Sequence, residues 1–105
     1  MNAITSELET LIDTYFSQLS AIDEDAFKHK PLPTKWSKKE LIGHLTDSAE
    51  NNIRRFIVAQ YEENPAIFYN QDKWVAINNY QQWNTHDLVK LWYLLNRQMI
   101  IILNN

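Results

Sequence analysis

Apolar residues recur at helical spacing along three long segments of this 105-residue chain, and this periodicity restricts its fold more than any other feature. The first stripe begins at Leu8 and continues at +3, +4, +7, +11 and +14. The chain has one Gly and three Pro, and every proline lies between periodic segments, so it offers few tight hairpin turns. The pattern predicts a single all-α domain over residues 1–105.

Start and stop signals place the first two long helices. The first is predicted over about 4–21 and the second over about 38–61, ending before Pro65. The second begins after a capping box formed by Ser37 and Glu40, in which each residue satisfies a backbone N–H of the other. Its predicted apolar side consists of Leu41, Leu45, Ala49, Ile53, Phe56, Ile57 and Gln60, with Tyr61 behind.

The remaining segments are two connections and a third long helix. Residues 23–35 have no helical period and are predicted to be an irregular connection, extended before each proline. The aromatic-rich stretch 66–80 is predicted to carry one or two helical turns capped by Asp72. The third long helix is predicted to start with Thr85 as N-cap and to continue through Leu103.

Composition excludes several classes of function. The balance of 10 basic and 13 acidic residues gives a net charge of −3, which lacks the basic excess of an electrostatic nucleic-acid binder. No Cys is present, so a disulfide, a thiolate nucleophile and a Cys-bound metal are excluded. The N-terminus is polar at every turn, and the most apolar stretch, 88–103, is interrupted and too short to span a bilayer. We therefore predict a cytoplasmic protein with neither nucleic acid nor membrane as a partner.

A glycine and a histidine stand together inside the second predicted helix. Gly43 costs about 1 kcal/mol there relative to Ala, which suggests the close approach of another backbone or of a ligand. His44 follows Leu41 by three positions and should face the bundle interior, with a polar row on the same side. The row consists of His44, Asp47, Ser48, Asn51 and Arg55.

This polar row has two interpretations. Bundle interiors are common places for ligand and metal sites. In the structural alternative, His44 is a hydrogen-bonded core residue and Arg55 pairs with Asp47 or Glu62. The other histidines are weaker candidates, since His29 lies in a connection and His86 is an ordinary residue of a first helical turn.

A longer pattern surrounds this row. Residues 36–48 have the form W-S-x-x-E-x-x-G-H-L-x-D-S, followed by Asn51, Asn52, Arg55 and Phe56. Together with 71–75 and 88–97, this pattern resembles the DinB/YfiT-like family, and the likeness extends over about 27–103.

The resemblance implies a fold and a chemistry. DinB-like proteins are four-helix bundles with a long crossover connection, and by resemblance His44 is one of three histidines that bind zinc or nickel. Members include thiol-dependent S-transferases, isomerases and proteins described as metal-dependent hydrolases, acting on small-molecule substrates. The metal would lower the pKa of a bound water or thiol, while Asp47, Asn51 or Arg55 orients the substrate.

This sequence departs from the family at its other two histidines. They form an HxxxH-like pair on a fourth helix, and the given sequence ends at Asn105 before any such helix. The resemblance therefore predicts three main helices plus a short one, a fourth bundle helix absent, and an incomplete or inactive metal site without tightly bound metal.

Two further hypotheses belong to other classes. In the first, the chain is a non-catalytic interaction module, most simply a symmetric dimer that covers the face around His44 and the third long helix. It is motivated by residues 99–103, which are apolar on every side of that helix. In the second, a metal-free enzyme uses His44, Asp47 and Arg55, but no activated nucleophile accompanies them.

Overall fold

A computed structural model describes residues 2–63 and 68–104 of the chain. The described residues form five α-helices and one short 3₁₀ turn, and they include no strand, which confirms the all-α prediction. The helices are α1 (Asn2–Ser20), α2 (Glu24–Lys28), α3 (Lys38–Val58), α4 (Gln71–Asn78) and α5 (Thr85–Leu103), and the 3₁₀ turn is Tyr80–Gln82.

The three long helices lie where periodicity placed them, but α3 ends at Val58 and not at residue 61. Beyond Val58 the backbone hydrogen bonds join residues three apart. Gln60 N–H donates to Ile57 O at 3.1 Å, and Tyr61 N–H donates to Val58 O at 3.1 Å. This three-residue spacing is typical of a fraying helix end. Pro65, the predicted stop signal, lies outside the described residues.

The predicted caps of α4 and α5 are wrong, each by one or two residues. Asn70 Oδ1, not Asp72, accepts the Lys73 N–H at 3.1 Å and caps α4. At α5 the capping residue is Asn84, whose Oδ1 accepts the Asp87 N–H at 3.0 Å. Asn is among the best N-cap residues, and in both places it stands before the predicted cap.

The predicted connection 23–35 contains a helical turn, α2, that periodicity did not show. Asp23 caps this turn, and Phe27 is completely buried. Glu24 joins α2 to two other helices, because Thr85 Oγ1 donates to its carboxylate and Lys39 Nζ lies 3.4 Å from Oε1. Five residues are too few for an amphipathic period, so the helix depends on these tertiary contacts.

Helix α5 packs against both α1 and α3. It runs antiparallel to α1, since Thr5 bonds to Asn104 near one end and the Phe16 and Tyr93 rings lie 4.4 Å apart towards the other. Their shared core consists of Ile12, Trp92 and Ile100, with Leu8, Phe16, Leu19, Ile42 and Tyr93 packed around it.

The apolar end of α5 is largely covered by the chain's own first helix. Ile100 is buried in the core shared with α1, while Met99, Ile102 and Leu103 are half-buried. Only Ile101 projects strongly into solvent, being 66% exposed. Packing within the chain therefore covers part of this segment, and the expected partner chain remains a prediction.

None of the helices in the described ranges is long and apolar enough to cross a membrane.

Candidate functional site

A capping box fixes the start of α3 and therefore the register of every residue in the site. Ser37 Oγ accepts the Glu40 N–H at 3.0 Å, and Glu40 Oε1 accepts the Ser37 N–H at 3.1 Å. Ser37 Oγ also donates to Gln81 Oε1 at 2.7 Å, which ties the start of α3 to the 3₁₀ turn. Both features predicted from the sequence, the box and the helix start at residue 38, are confirmed.

Gly43 allows an aromatic ring to lie directly on α3. A Cβ at this position would lie 2.6 Å from Tyr80 Cε2 and closer still to Cδ2 and Cγ. The expected close approach is present, but the neighbour is the Tyr80 side chain, not a backbone or a ligand. Asn79, which precedes Tyr80, ends α4 in a left-handed conformation (φ 53°). Asn tolerates this conformation better than most residues.

Tyr80 reaches one helical turn further along α3 to Asp47, which is 0% exposed. The Tyr80 hydroxyl donates to Asp47 Oδ1, and Asn78 Nδ2 donates to the same oxygen at 3.3 Å. Burial raises the pKa of the Asp47 carboxyl, and the Tyr80 hydrogen bond offsets part of that rise. Burial, together with the bond to Asp47, raises the pKa of Tyr80. Asp47 Oδ2 is buried and has no hydrogen-bond partner.

His44 is half-buried beside this cluster, in agreement with the expectation that it does not face open solvent. Its ring lies 5.2 Å from the Trp36 ring, between centroids, at an interplanar angle of 37°. His44 Nδ1 is enclosed and, like Asp47 Oδ2, has no hydrogen-bond partner among residues 2–63 and 68–104. The structural alternative, a hydrogen-bonded core histidine, is therefore not supported at Nδ1.

The segment before α4 packs onto the same side of α3. The hydroxyls of Ser48 and Tyr69 are 2.7 Å apart, and the Tyr69 ring meets the Trp74 ring edge-on at 5.5 Å. Aromatic side chains from three segments, Trp36, Tyr69 and Trp74, therefore surround the polar residues of α3.

The predicted polar row divides into a buried and a half-buried part. Asn51 is buried, and its Nδ2 donates to the main-chain oxygen of Asp47 at 2.9 Å. Arg55 is half-buried and donates to Asn52 Oδ1 at 3.3 Å. The structure places His44, Asp47 and Asn51 on one side of α3 along about two helical turns, with Arg55 one turn further along.

The histidines do not converge. His29 is exposed at the end of α2 and His86 is exposed in the first turn of α5. In the described ranges, no group of three or more His, Cys, Asp or Glu is placed to hold a metal ion. Since a catalytic zinc site needs about three protein ligands, the residues around His44 do not fit the metal centre that the family resemblance implies.

Sequence reasoning missed the residues that enclose the site from other segments: Tyr80, Asn78 and Tyr69. One signal did point to them, since a glycine inside a helix indicates a close neighbour. It could not say which residue that neighbour is.

Comparison with known proteins identifies no relative. No family model, no curated protein and no solved structure matches the chain.

Proposed function

We propose that this protein is a DinB-like helical module that acts by association through one exposed face of α3. The face consists of three exposed apolar side chains, Leu41, Leu45 and Phe56, with the half-buried Ser48 and Asn52 between them at intervals of three and four residues. Its three large apolar members are 46%, 42% and 38% exposed, although the sequence predicted them in the core. This exposed apolar row is the observation that carries the proposal.

The size of the molecular surface supports association. The chain exposes 7150 Å², whereas a folded monomer of 12.5 kDa is expected to expose about 6,200 Å². Its radius of gyration is 15.0 Å, against about 13 Å for a compact domain of this length. The molecule is therefore more extended than an average monomer, with principal extents of 42 × 29 × 19 Å, and its helices offer more surface to a partner.

A second copy of the same chain suits this face. Leu41 and Phe56 lie at nearly equal distances from Ser48, which is the midpoint of α3. Antiparallel pairing of two α3 helices about a twofold axis near Ser48 would place Leu41 of each copy against Phe56 of the other. Complete burial of a Leu-sized side chain contributes about 1.5–3 kcal/mol, and these side chains, already more than half covered, would gain about half of that each. The proposed assembly is therefore a symmetric dimer.

Light scattering coupled to gel filtration tests the association at micromolar concentration. We expect twice the chain mass for the wild type and a monomer for Leu45→Glu, which places a charge in the centre of the face. Leu32→Glu is the matched control, because Leu32 is 54% exposed but lies in the connection after α2. A wild-type mass of 12.5 kDa would overturn the proposal.

Of the metal ligands that the family resemblance implies, this proposal includes only His44. A metal-dependent hydrolase or thiol-dependent S-transferase would need further metal ligands from outside the described residues. We therefore expect no zinc or nickel to remain after dialysis against a weak chelator, as measured by elemental analysis. Near-stoichiometric metal that disappears in His44→Ala would instead support the metalloenzyme.

A further inference from the structure

Two buried polar atoms of the candidate site, His44 Nδ1 and Asp47 Oδ2, have no hydrogen-bond partner in the part of the chain that the structure describes. Leaving a buried polar atom unpaired costs about 1–3 kcal/mol, so native structures rarely do it twice in one place. The two residues are three positions apart on α3 and are therefore neighbours on the helix surface. Their proximity indicates one shared hydrogen-bond connection.

The other Asp47 oxygen defines the direction of that connection. Tyr80 Oη and Asn78 Nδ2 both donate to Oδ1, which holds the carboxyl group in one orientation. Oδ2 is thereby left as an acceptor on the side of the carboxyl that is not used by Tyr80. The nearby imidazole has a nitrogen that can donate to it.

We propose that Asp47 is a positioning residue for His44. In solution its Oδ2 accepts a hydrogen bond from His44 Nδ1–H, a contact that the two side chains do not make in the structure, and this bond leaves Nε2 unprotonated. A carboxylate that accepts from one imidazole nitrogen selects the tautomer and orients the ring.

This arrangement gives His44 a defined chemical role. Nε2 is an acceptor for a hydrogen-bond donor of a bound small molecule, at the border of the α3 face. Trp36, whose ring packs at a tilt against the His44 ring with centroids 5.2 Å apart, restricts its rotation. The inference concerns contacts within one chain and does not depend on the dimer.

The tautomer of His44 can be measured directly by two-bond ¹H–¹⁵N correlation spectra of the imidazole rings at a pH where they are neutral. For the wild type we expect the proton on Nδ1 and the unprotonated ¹⁵N shift on Nε2. The exposed residues His29 and His86 serve as internal references in the same spectrum.

Two variants separate the positioning role from a structural one. In Asp47→Asn, Tyr80 and Asn78 retain the amide oxygen, so the amide NH₂ takes the place of Oδ2 and donates to His44. We expect the tautomer to reverse, with the unprotonated shift moving to Nδ1. Tyr80→Phe removes a hydrogen bond from the same carboxyl but leaves Oδ2 in place, so the wild-type tautomer should persist.

A wild-type His44 protonated on Nε2 would overturn the proposal, and so would an unchanged tautomer in Asp47→Asn. The wild-type spectrum decides the matter even if Asp47→Asn fails to fold. The Leu45→Glu variant should show the wild-type tautomer whether or not it dissociates, so failure of the dimer and failure of this proposal remain distinguishable.

Discussion

Tyr80 occupies the space beside Gly43 into which any larger side chain would project. We expect Gly43→Ala to lower the free energy of unfolding by about 1–3 kcal/mol, because overpacking forces Tyr80 away from α3. Helix propensity alone would raise it by about 1 kcal/mol. Denaturant titration therefore distinguishes the two effects by sign.

The clash with Tyr80 can be isolated by a double-mutant cycle. Gly43→Ala in a Tyr80→Ala background should stabilise the protein, since the ring is gone and the propensity gain remains. Glu50→Ala, at an exposed position of the same helix, should change stability by less than about 0.5 kcal/mol. A stabilising Gly43→Ala in the wild-type background would contradict the packing described above.

The two carboxyls Asp47 and Glu24 should give opposite pH dependences. The folded-state pKa of Asp47 is raised by burial, so the native state binds its proton more tightly than the unfolded state. Its contribution to stability is present at low pH and is lost as the pH rises from about 3.8 through the folded pKa. Unfolding free energies of wild type and Asp47→Asn, compared across this range, should show the wild type losing stability relative to the variant.

Glu24 provides the contrasting case. Its folded-state pKa is lowered, first by the hydrogen bond from Thr85 and also by Lys39. Stability from this group is therefore present above its ordinary value of 4.5 and is lost as the pH falls. In the same titration, Glu24→Gln should remove this loss at acid pH, and a slope of the same sign as that of Asp47 would contradict the assignment.

At the scale of elements, two substitutions before and within α4 test which side chain caps its N-terminus. Asn70→Ala should cost about 1 kcal/mol in unfolding free energy, because the Lys73 N–H loses its acceptor. Asp72→Ala should cost less, since Asp72 contributes only a negative charge near the helix N-terminus. An equal or larger loss of unfolding free energy in Asp72→Ala would indicate that Asp72 is the cap, as predicted from the sequence.

Long and short helices differed in how well the sequence predicted them. The spacing of apolar residues located α1, α3 and α5 to within about three residues, because each has several turns with a buried stripe. The single turn of α2 was missed, since its stability comes from buried Phe27 and from the contacts of Glu24 with other helices. Contacts between distant residues produce no periodic pattern in the local sequence.

At the scale of the whole molecule, the proposed dimer links stability to concentration. If two copies bury the α3 face, mass action favours the folded dimer and the wild-type Tm should rise by several degrees over a hundredfold increase in concentration. Leu45→Glu should show no such dependence, while Leu32→Glu should behave like the wild type. A wild-type Tm independent of concentration would indicate a monomer and would contradict the dimer.

The amino-acid sequence by itself determined the helical class, the start of α3 at its capping box, and the register that puts His44, Asp47 and Asn51 on one side of α3. These features depend on interactions between residues at most a few positions apart, which a pattern of spacing records. Only the tertiary structure decided that Tyr80, 33 residues from Asp47, encloses the site, and that Leu41 and Leu45 remain exposed. The physical reason is that a hydrophobic stripe shows which face of a helix can be buried, whereas burial itself depends on which distant segment packs there.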